Sequence, residues 1–213
     1  GLVLETLTKM GFDVVCLGLS TTPTVEIAVP IEKADAGIII TASHNPREWN
    51  ALKLLNNKGE FINAEDGKNL MSIADSNPSF DENINLGSVT FNDSYIDTHI
   101  DLILKLPFVD SESIKRRKFK VVVDAVNSTG GIAIPILLDR LGVETIKLYC
   151  DPTGEFPHNP EPLKENLSDL SNLVVNEAAD LGIVVDPDVD RLAFVSEDGE
   201  VFGEEYTLVA CAD

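Results

Sequence analysis

The chain is short of positive charge. Its 213 residues hold 16 Lys and Arg against 36 Asp and Glu, a formal net charge of −20. Nucleic acid and anionic membrane surfaces both demand basic faces, so neither is expected as a partner. Membrane-length apolar runs are missing too. Hydrophobic residues make up 44% of the chain but fall in short stretches, so a soluble protein is expected. Gly1-Leu2-Val3-Leu4-Glu5 offers no basic segment leading into an apolar one, so this segment is expected to be neither a secretory signal nor a transit peptide. Cysteine is scarce: Cys16, Cys150 and Cys211 are odd in number, far apart and set in apolar segments. That pattern reads as buried, reduced thiols of a cytoplasmic protein, not as a disulfide or a zinc site. An initiator Met is absent and both ends fall inside helical patterns, so a piece of a longer protein is expected.

What is present alternates between helix and strand. Helices are expected at residues 1–10, Thr22–Lys33 (with Pro23 in the first turn), Ala64–Asp75, Ser94–Leu106, Ile132–Leu141 and Ser168–Ala179. Strands are expected at Phe12–Gly18, Ala36–Ala42, Lys120–Ala125, Glu144–Cys150 and Leu181–Val185. The near-continuous apolar run around Gly37-Ile38-Ile39-Ile40 suggests burial on both faces, as in a parallel sheet. Hairpins are expected for Asn50–Asn56 with Gly59–Ile62, and for Leu192–Ser196 with Glu200–Phe202 about Asp198-Gly199. The basic run Lys115-Arg116-Arg117-Lys118 reads as a solvated linker. The fold class is α/β, as two tandem domains with mixed, mainly parallel sheets: 1–108, 109–203, and the start of a third at 204–213.

Two loops carry the chemistry. In Thr41-Ala42-Ser43-His44-Asn45-Pro46 a serine directly follows a strand, where ligand chemistry collects in open α/β sheets. A Ser-His-Asp hydrolase is disfavoured, because the Gly-x-Ser-x-Gly elbow is absent and only His99 and His158 remain as distant bases. Lys53, on an otherwise apolar strand, either snorkels from the strand end or binds a phosphoryl oxygen. His44 is either part of the turn or part of the site. His99 is expected to pack, and His158 and Asn127 to shape turns. In Asp186-Pro187-Asp188-Val189-Asp190-Arg191 three alternating carboxylates repel one another unless a cation sits among them. Oxygen-only ligation points to Mg²⁺, Mn²⁺ or Ca²⁺. An EF-hand fails, since position six holds Arg191 in place of Gly and the flanks read as strands. A purely structural acidic turn is the alternative. Arg191 suits bidentate clamping of phosphate.

Taken together, these segments resemble the α-D-phosphohexomutases, the family of phosphoglucomutase, phosphomannomutase and phosphoglucosamine mutase. The resemblance rests on Thr41–Pro46, Trp49–Lys53, Val123–Gly131, Phe156–Pro162 and Asp186–Arg191 in order. Ala51, Pro187 and Val189 stand where the family usually has glycine and are expected to stiffen the loops. The resemblance implies most of the first and nearly all of the second of four domains. It implies that phospho-Ser43 passes its phosphoryl group to a hexose 1-phosphate, giving a hexose 1,6-bisphosphate that returns the other phosphate to Ser43. It also implies Mg²⁺ on Ser43, Asp186, Asp188 and Asp190, with Ser43, His44, Lys53 and Arg191 as catalytic residues. Thr41 leans toward glucose and mannose substrates, phosphoglucosamine mutase being the alternative. A non-catalytic divalent-cation module is the alternative of another class.

Overall fold

Both periodicities of the sequence become elements in the computed structural model, which describes residues 1–45, 48–76, 78–79, 85–203, 206–207 and 209. In chain order these are α1 (Leu2–Lys9), β1 (Val14–Cys16), α2 (Thr22–Glu32), β2 (Gly37–Thr41), β3 (Ala51–Leu55), α3 (Ala64–Asp75), β4 (Val89–Phe91), α4 (Tyr95–Leu104) and α5 (Ser111–Arg117). There follow β5 (Lys120–Asp124), α6 (Gly130–Arg140), β6 (Glu144–Leu148), α7 (Ser168–Asn176), β7 (Leu181–Val185), β8 (Leu192–Ser196) and β9 (Val201–Phe202).

The second half is one five-stranded sheet of order β6-β5-β7-β8-β9. β5 lies parallel to β6 and β7, β8 pairs antiparallel with β7, and β9 antiparallel with β8. Alternation along β5 splits its valines between two layers. Val121 and Val123 join Leu138 of α6, with Ile114 of α5 beside them. Val122 faces the other way, onto Leu170 and Val174 of α7. Each fully buried Leu or Val contributes about 1.5–3 kcal/mol against leaving it exposed. The chain leaves β5 toward β6 on one side and returns to β7 on the other. The carboxyl ends of β5 and β7 therefore flank a switch point, where such sheets open a ligand crevice. Asp186–Arg191 is the loop that leaves β7 there.

The first half departs from the sequence reading in three places. β2 is not a doubly buried parallel strand: it pairs antiparallel with β3, with Ile39 buried against Val29 and Leu55 while Ile40 is 59% exposed. The expected hairpin of Asn50–Asn56 with Gly59–Ile62 reduces to a bridge at Leu55–Phe61. The Asn56 side chain accepts the N–H groups of Lys58 and Glu60 and turns the chain, while Asn56 N–H donates to the Glu60 carbonyl at 2.8 Å and Ile62 N–H to the Leu54 carbonyl at 3.1 Å. A short strand, β4, was missed; it pairs parallel with β1 across a long sequence gap that no local pattern announces.

The basic run is no linker. Lys115, Arg116 and Arg117 form the last turn of α5, where cations complement the helix dipole. α4 packs against both α2 and α6, and Asp101 of α4 pairs with Arg140 of α6, so this helix is a seam between the halves. Cys16 and Cys150 are free thiols; Cys211, Pro46 and most of the expected third-domain start at 204–213 lie outside the described residues.

Candidate active site

The serine loop is built by a strand end and a borrowed hydroxyl. β2 stops at Thr41, whose Oγ1 accepts the N–H of Ser43 at 2.9 Å, and Asn45 N–H closes the turn on the Ala42 carbonyl at 3.0 Å. Ser43 sits in the left-handed region, φ 52°. Its Oγ lies 3.3 Å from His44 Nδ1. In the β2–β3 register Ile39 opposes Lys53 and Thr41 opposes Ala51, so Thr41 and Lys53 share one face of the ribbon. That face meets the acidic loop.

The acidic loop is wound around Asp186. Its Oδ1 accepts the N–H groups of Asp190 and Arg191, each at 3.1 Å, and its carbonyl accepts that of Val189 at 3.1 Å. Asp188 then points across to the first half. Its Oδ1 accepts the Thr41 hydroxyl at 2.6 Å and its Oδ2 the Lys53 ammonium at 3.0 Å. Its backbone carbonyl accepts Thr22 N–H at the start of α2, 3.0 Å away. Lys53 also donates to Asp190 Oδ2 at 3.1 Å. Arg191 donates to Glu161 Oε1 at 3.4 Å, and His44 Nε2 lies 3.8 Å from the same oxygen.

Charge in this cluster is unevenly held. Burial, reinforced by the charges of Asp190 and Asp188, pushes Asp186 up to about 6 despite its backbone donors. Burial acts on Asp188 in the same sense, but hydrogen bonds from Thr41, Ser43 and Lys53 outweigh it and hold this carboxylate below its ordinary value. Lys53 is the mirror case: burial lowers its proton affinity, and its bonds to Asp188 and Asp190 more than restore it. It is therefore held as an ammonium donor.

One carboxylate oxygen from each of Asp186, Asp188 and Asp190 lies within 4.8 Å of the other two. Three acids facing one lysine leave an excess of negative charge. An all-oxygen donor set of that charge fits a hard divalent cation. The strands on both sides of the loop, β7 and β8, exclude the helical flanks of an EF-hand.

The structure thus brings together Ser43, His44, Lys53, Asp186, Asp188, Asp190 and Arg191. His99 Nδ1 bonds Thr24 Oγ1 at 2.9 Å. His158 spans Asp124 Oδ2 at 2.9 Å and the Asn159 carbonyl at 2.8 Å. Both partners can accept, and the hydrogen bond to Asp124 raises the pKa of the ring. Asn127 holds φ 54° and donates to the Glu155 carbonyl. Thr41 is explained by its bonds to Asp188 and Ser43 without reference to any sugar. Val189 does not merely stiffen its loop: it adopts φ 61°, a costly conformation for a β-branched residue.

Sequence reasoning missed Glu161, although it quoted the segment around it; a lone Glu between two prolines gives no sign of what it will face. It also missed Glu26 on α2, whose carboxyl is raised by burial and by the nearby Asp190.

Models of known families match the chain in two parts. Residues 1–80 match the alpha/beta/alpha domain I of phosphoglucomutase/phosphomannomutase, and residues 93–199 match domain II. A protein of Methanopyrus kandleri named "Probable phosphoglucosamine mutase" is 37% identical over 97% of the chain and 45% of its own length. A "Phosphoglucomutase/phosphomannomutase" of Thermococcus kodakarensis is 34% identical over 99% of the chain and 46% of its own length. The chain thus spans less than half the length of these relatives. The crystal structure of a phosphoglucomutase/phosphomannomutase family protein from Burkholderia thailandensis superposes with a TM-score of 0.82 at 29% identity, over 99% of the chain and 46% of that structure.

Proposed function

This chain belongs to the phosphoglucomutase/phosphomannomutase family, and on that premise we propose that Ser43 is a phosphoryl carrier between the two ends of a hexose phosphate. Phospho-Ser43 gives its phosphoryl group to the 6-hydroxyl of a hexose 1-phosphate. The P–Oγ bond breaks, a P–O6 bond forms, and the proton leaving O6 balances the one that returns to the serine oxygen. The hexose 1,6-bisphosphate turns end for end and passes its 1-phosphoryl group to Ser43, releasing hexose 6-phosphate.

The observation carrying this reading is the meeting of Thr41 and Lys53, beside the serine, with Asp188 and Asp190. Asp186, Asp188 and Asp190, with an oxygen of Ser43, would hold Mg²⁺, which supplies charge neutralisation for a phosphoryl group on the serine. Thr41 orders the Ser43 backbone through the N–H it accepts. Lys53 offers a fixed positive charge, and Arg191 guanidinium donors to equatorial oxygens, where charge spreads in phosphoryl transfer. His44 stands within reach of the serine oxygen. A cytoplasmic location is part of this reading, in keeping with the free Cys16 and Cys150.

The relatives carry both glucosamine and glucose/mannose names, so the sugar is assigned by comparing hexose 1-phosphates in a turnover assay. The central claim is tested by intact-mass measurement of the full-length protein incubated with glucose 1,6-bisphosphate. One phosphoryl adduct is expected, lost in Ser43→Ala. No adduct under any condition refutes the carrier role and favours a non-catalytic cation-binding module.

A further inference from the structure

We infer that Glu161 is a positioning residue of the phosphoryl-transfer site, a single carboxylate that sets both Arg191 and His44; this rests on the carrier role of Ser43. One oxygen of Glu161 accepts Arg191 Nη1 at 3.4 Å and lies 3.8 Å from His44 Nε2. The far side of that imidazole is 3.3 Å from the Ser43 hydroxyl. Arg191 directly follows the last acid of the loop after β7. Glu161 is thus the one group among the described residues that touches both the serine loop and the arginine after the acidic loop.

The backbone beneath it is fixed. Glu161 N–H donates to Asn159 Oδ1 at 3.2 Å, and its carbonyl accepts Leu163 N–H and Asn166 Nδ2, each at 2.8 Å. Pro160 and Pro162, both buried, lock φ on either side. One residue before Asn159, His158 anchors the same segment to buried Asp124 at the end of β5. A side chain on such a mount presents its carboxylate at a set place.

Charge argues that this place is directional. The site already holds three aspartates, and a fourth acid opposes an arriving phosphate dianion unless its charge is engaged by cationic groups. Glu161 engages Arg191 through one of five guanidinium donors, leaving the others for phosphate oxygens with the plane of the group already chosen. The gain is orientation, and misplacing a catalytic group by about 1 Å can cost on the order of 100-fold in rate.

The test is single-turnover phosphorylation of Ser43 by glucose 1,6-bisphosphate in the full-length protein, followed by intact mass. Glu161→Ala is expected to slow transfer about tenfold or more, with little change in the bisphosphate concentration giving half-maximal rate and an unchanged melting temperature. Glu161→Gln keeps an acceptor oxygen for Arg191 and is expected to recover part of the rate. In an Arg191→Ala background the Glu161→Ala effect is expected to shrink, because the part carried by the Glu161–Arg191 contact is already lost. Wild-type rate in Glu161→Ala, or full additivity with Arg191→Ala, overturns the inference while leaving the carrier role standing. If Glu161→Ala does not fold, the isosteric Gln variant is judged by the same rates. A wild-type protein that never gains phosphate overturns the carrier role and this inference together.

Discussion

Replacing Asp186 by Asn is expected to stabilise the cation-free protein while removing its response to divalent cation. Asp186 is 2% exposed, and its pKa moves from 3.8 to about 6 on folding, chiefly through burial. The folded state therefore binds this proton more tightly than the unfolded chain does. The stability tied to that proton is present in full below about pH 3.8 and is lost as pH rises through about 6. Holding Asp186 ionised above that range costs about 3 kcal/mol. Asparagine removes the charge, and its amide oxygen can still accept the N–H groups of Asp190 and Arg191. Urea unfolding with chelator near pH 7.5 should show Asp186→Asn more stable by up to about 3 kcal/mol, or about 6–12 °C in melting temperature. The gap should close as pH falls toward 4. Excess Mg²⁺ reverses the order: at about 1,000 times its Kd it should add about 4.1 kcal/mol to the wild type and nothing to the variant. A variant no more stable than wild type in chelator, or a gap independent of pH, refutes this account of the acidic loop.

Two further outcomes follow from packing and pairing. His158 has its pKa raised, first by its hydrogen bond to Asp124, so its stabilising contribution is complete below the ordinary value of 6.5 and is lost as pH rises through the higher folded value. His158→Asn should therefore cost about 3 kcal/mol near pH 6 and less near pH 8 in denaturant titrations; a cost independent of pH counts against the imidazolium. At Gly131 in α6, an added Cβ falls 2.2 Å from the Cys150 carbonyl oxygen, so Gly131→Ala must shift backbone and should cost about 1–3 kcal/mol by thermal melting. A neutral Gly131→Ala would mean that α6 and the end of β6 are not held this close.

Where the sequence was legible, a local cause announced itself. The apolar runs of β5, β7 and β8 and the helical spacing on α4 report burial that each element achieves with its immediate neighbours. Asn63, which accepts the N–H groups of Glu65 and Asp66, marks the start of α3 as plainly as a label. The failures share a different cause. β4 exists because Val89–Phe91 pairs with Val14–Cys16, and β2 leaves Ile40 exposed because its cluster with Val29 and Leu55 lies on the Ile39 face. Neither fact is encoded within a window of ten residues. The site divides the same way: the acids and the serine announce their chemistry, whereas the Thr41–Asp188 and Glu161–Arg191 contacts depend on tertiary placement.

Backbone strain makes the location of the site evident without any reference to side-chain chemistry. Eight non-glycine residues among those described hold positive φ. Lys33, Lys118 and Ala178 end helices, where the left-handed conformation is an ordinary stop signal. The other five are Ser43, Val126, Asn127, Tyr149 and Val189, in the loops that leave the carboxyl ends of β2, β5, β6 and β7. Each such residue costs on the order of 1–3 kcal/mol, most for the two valines, and persists only where its surroundings overdetermine it. Those surroundings are visible: Thr41 holds the Ser43 N–H, Asp124 holds the N–H of Val126, and the Asp186 carbonyl holds that of Val189. Strain spread at random would mark a poorly settled chain. Gathered at one edge of two sheets, it marks loops whose shape tertiary contacts hold against their own local preference.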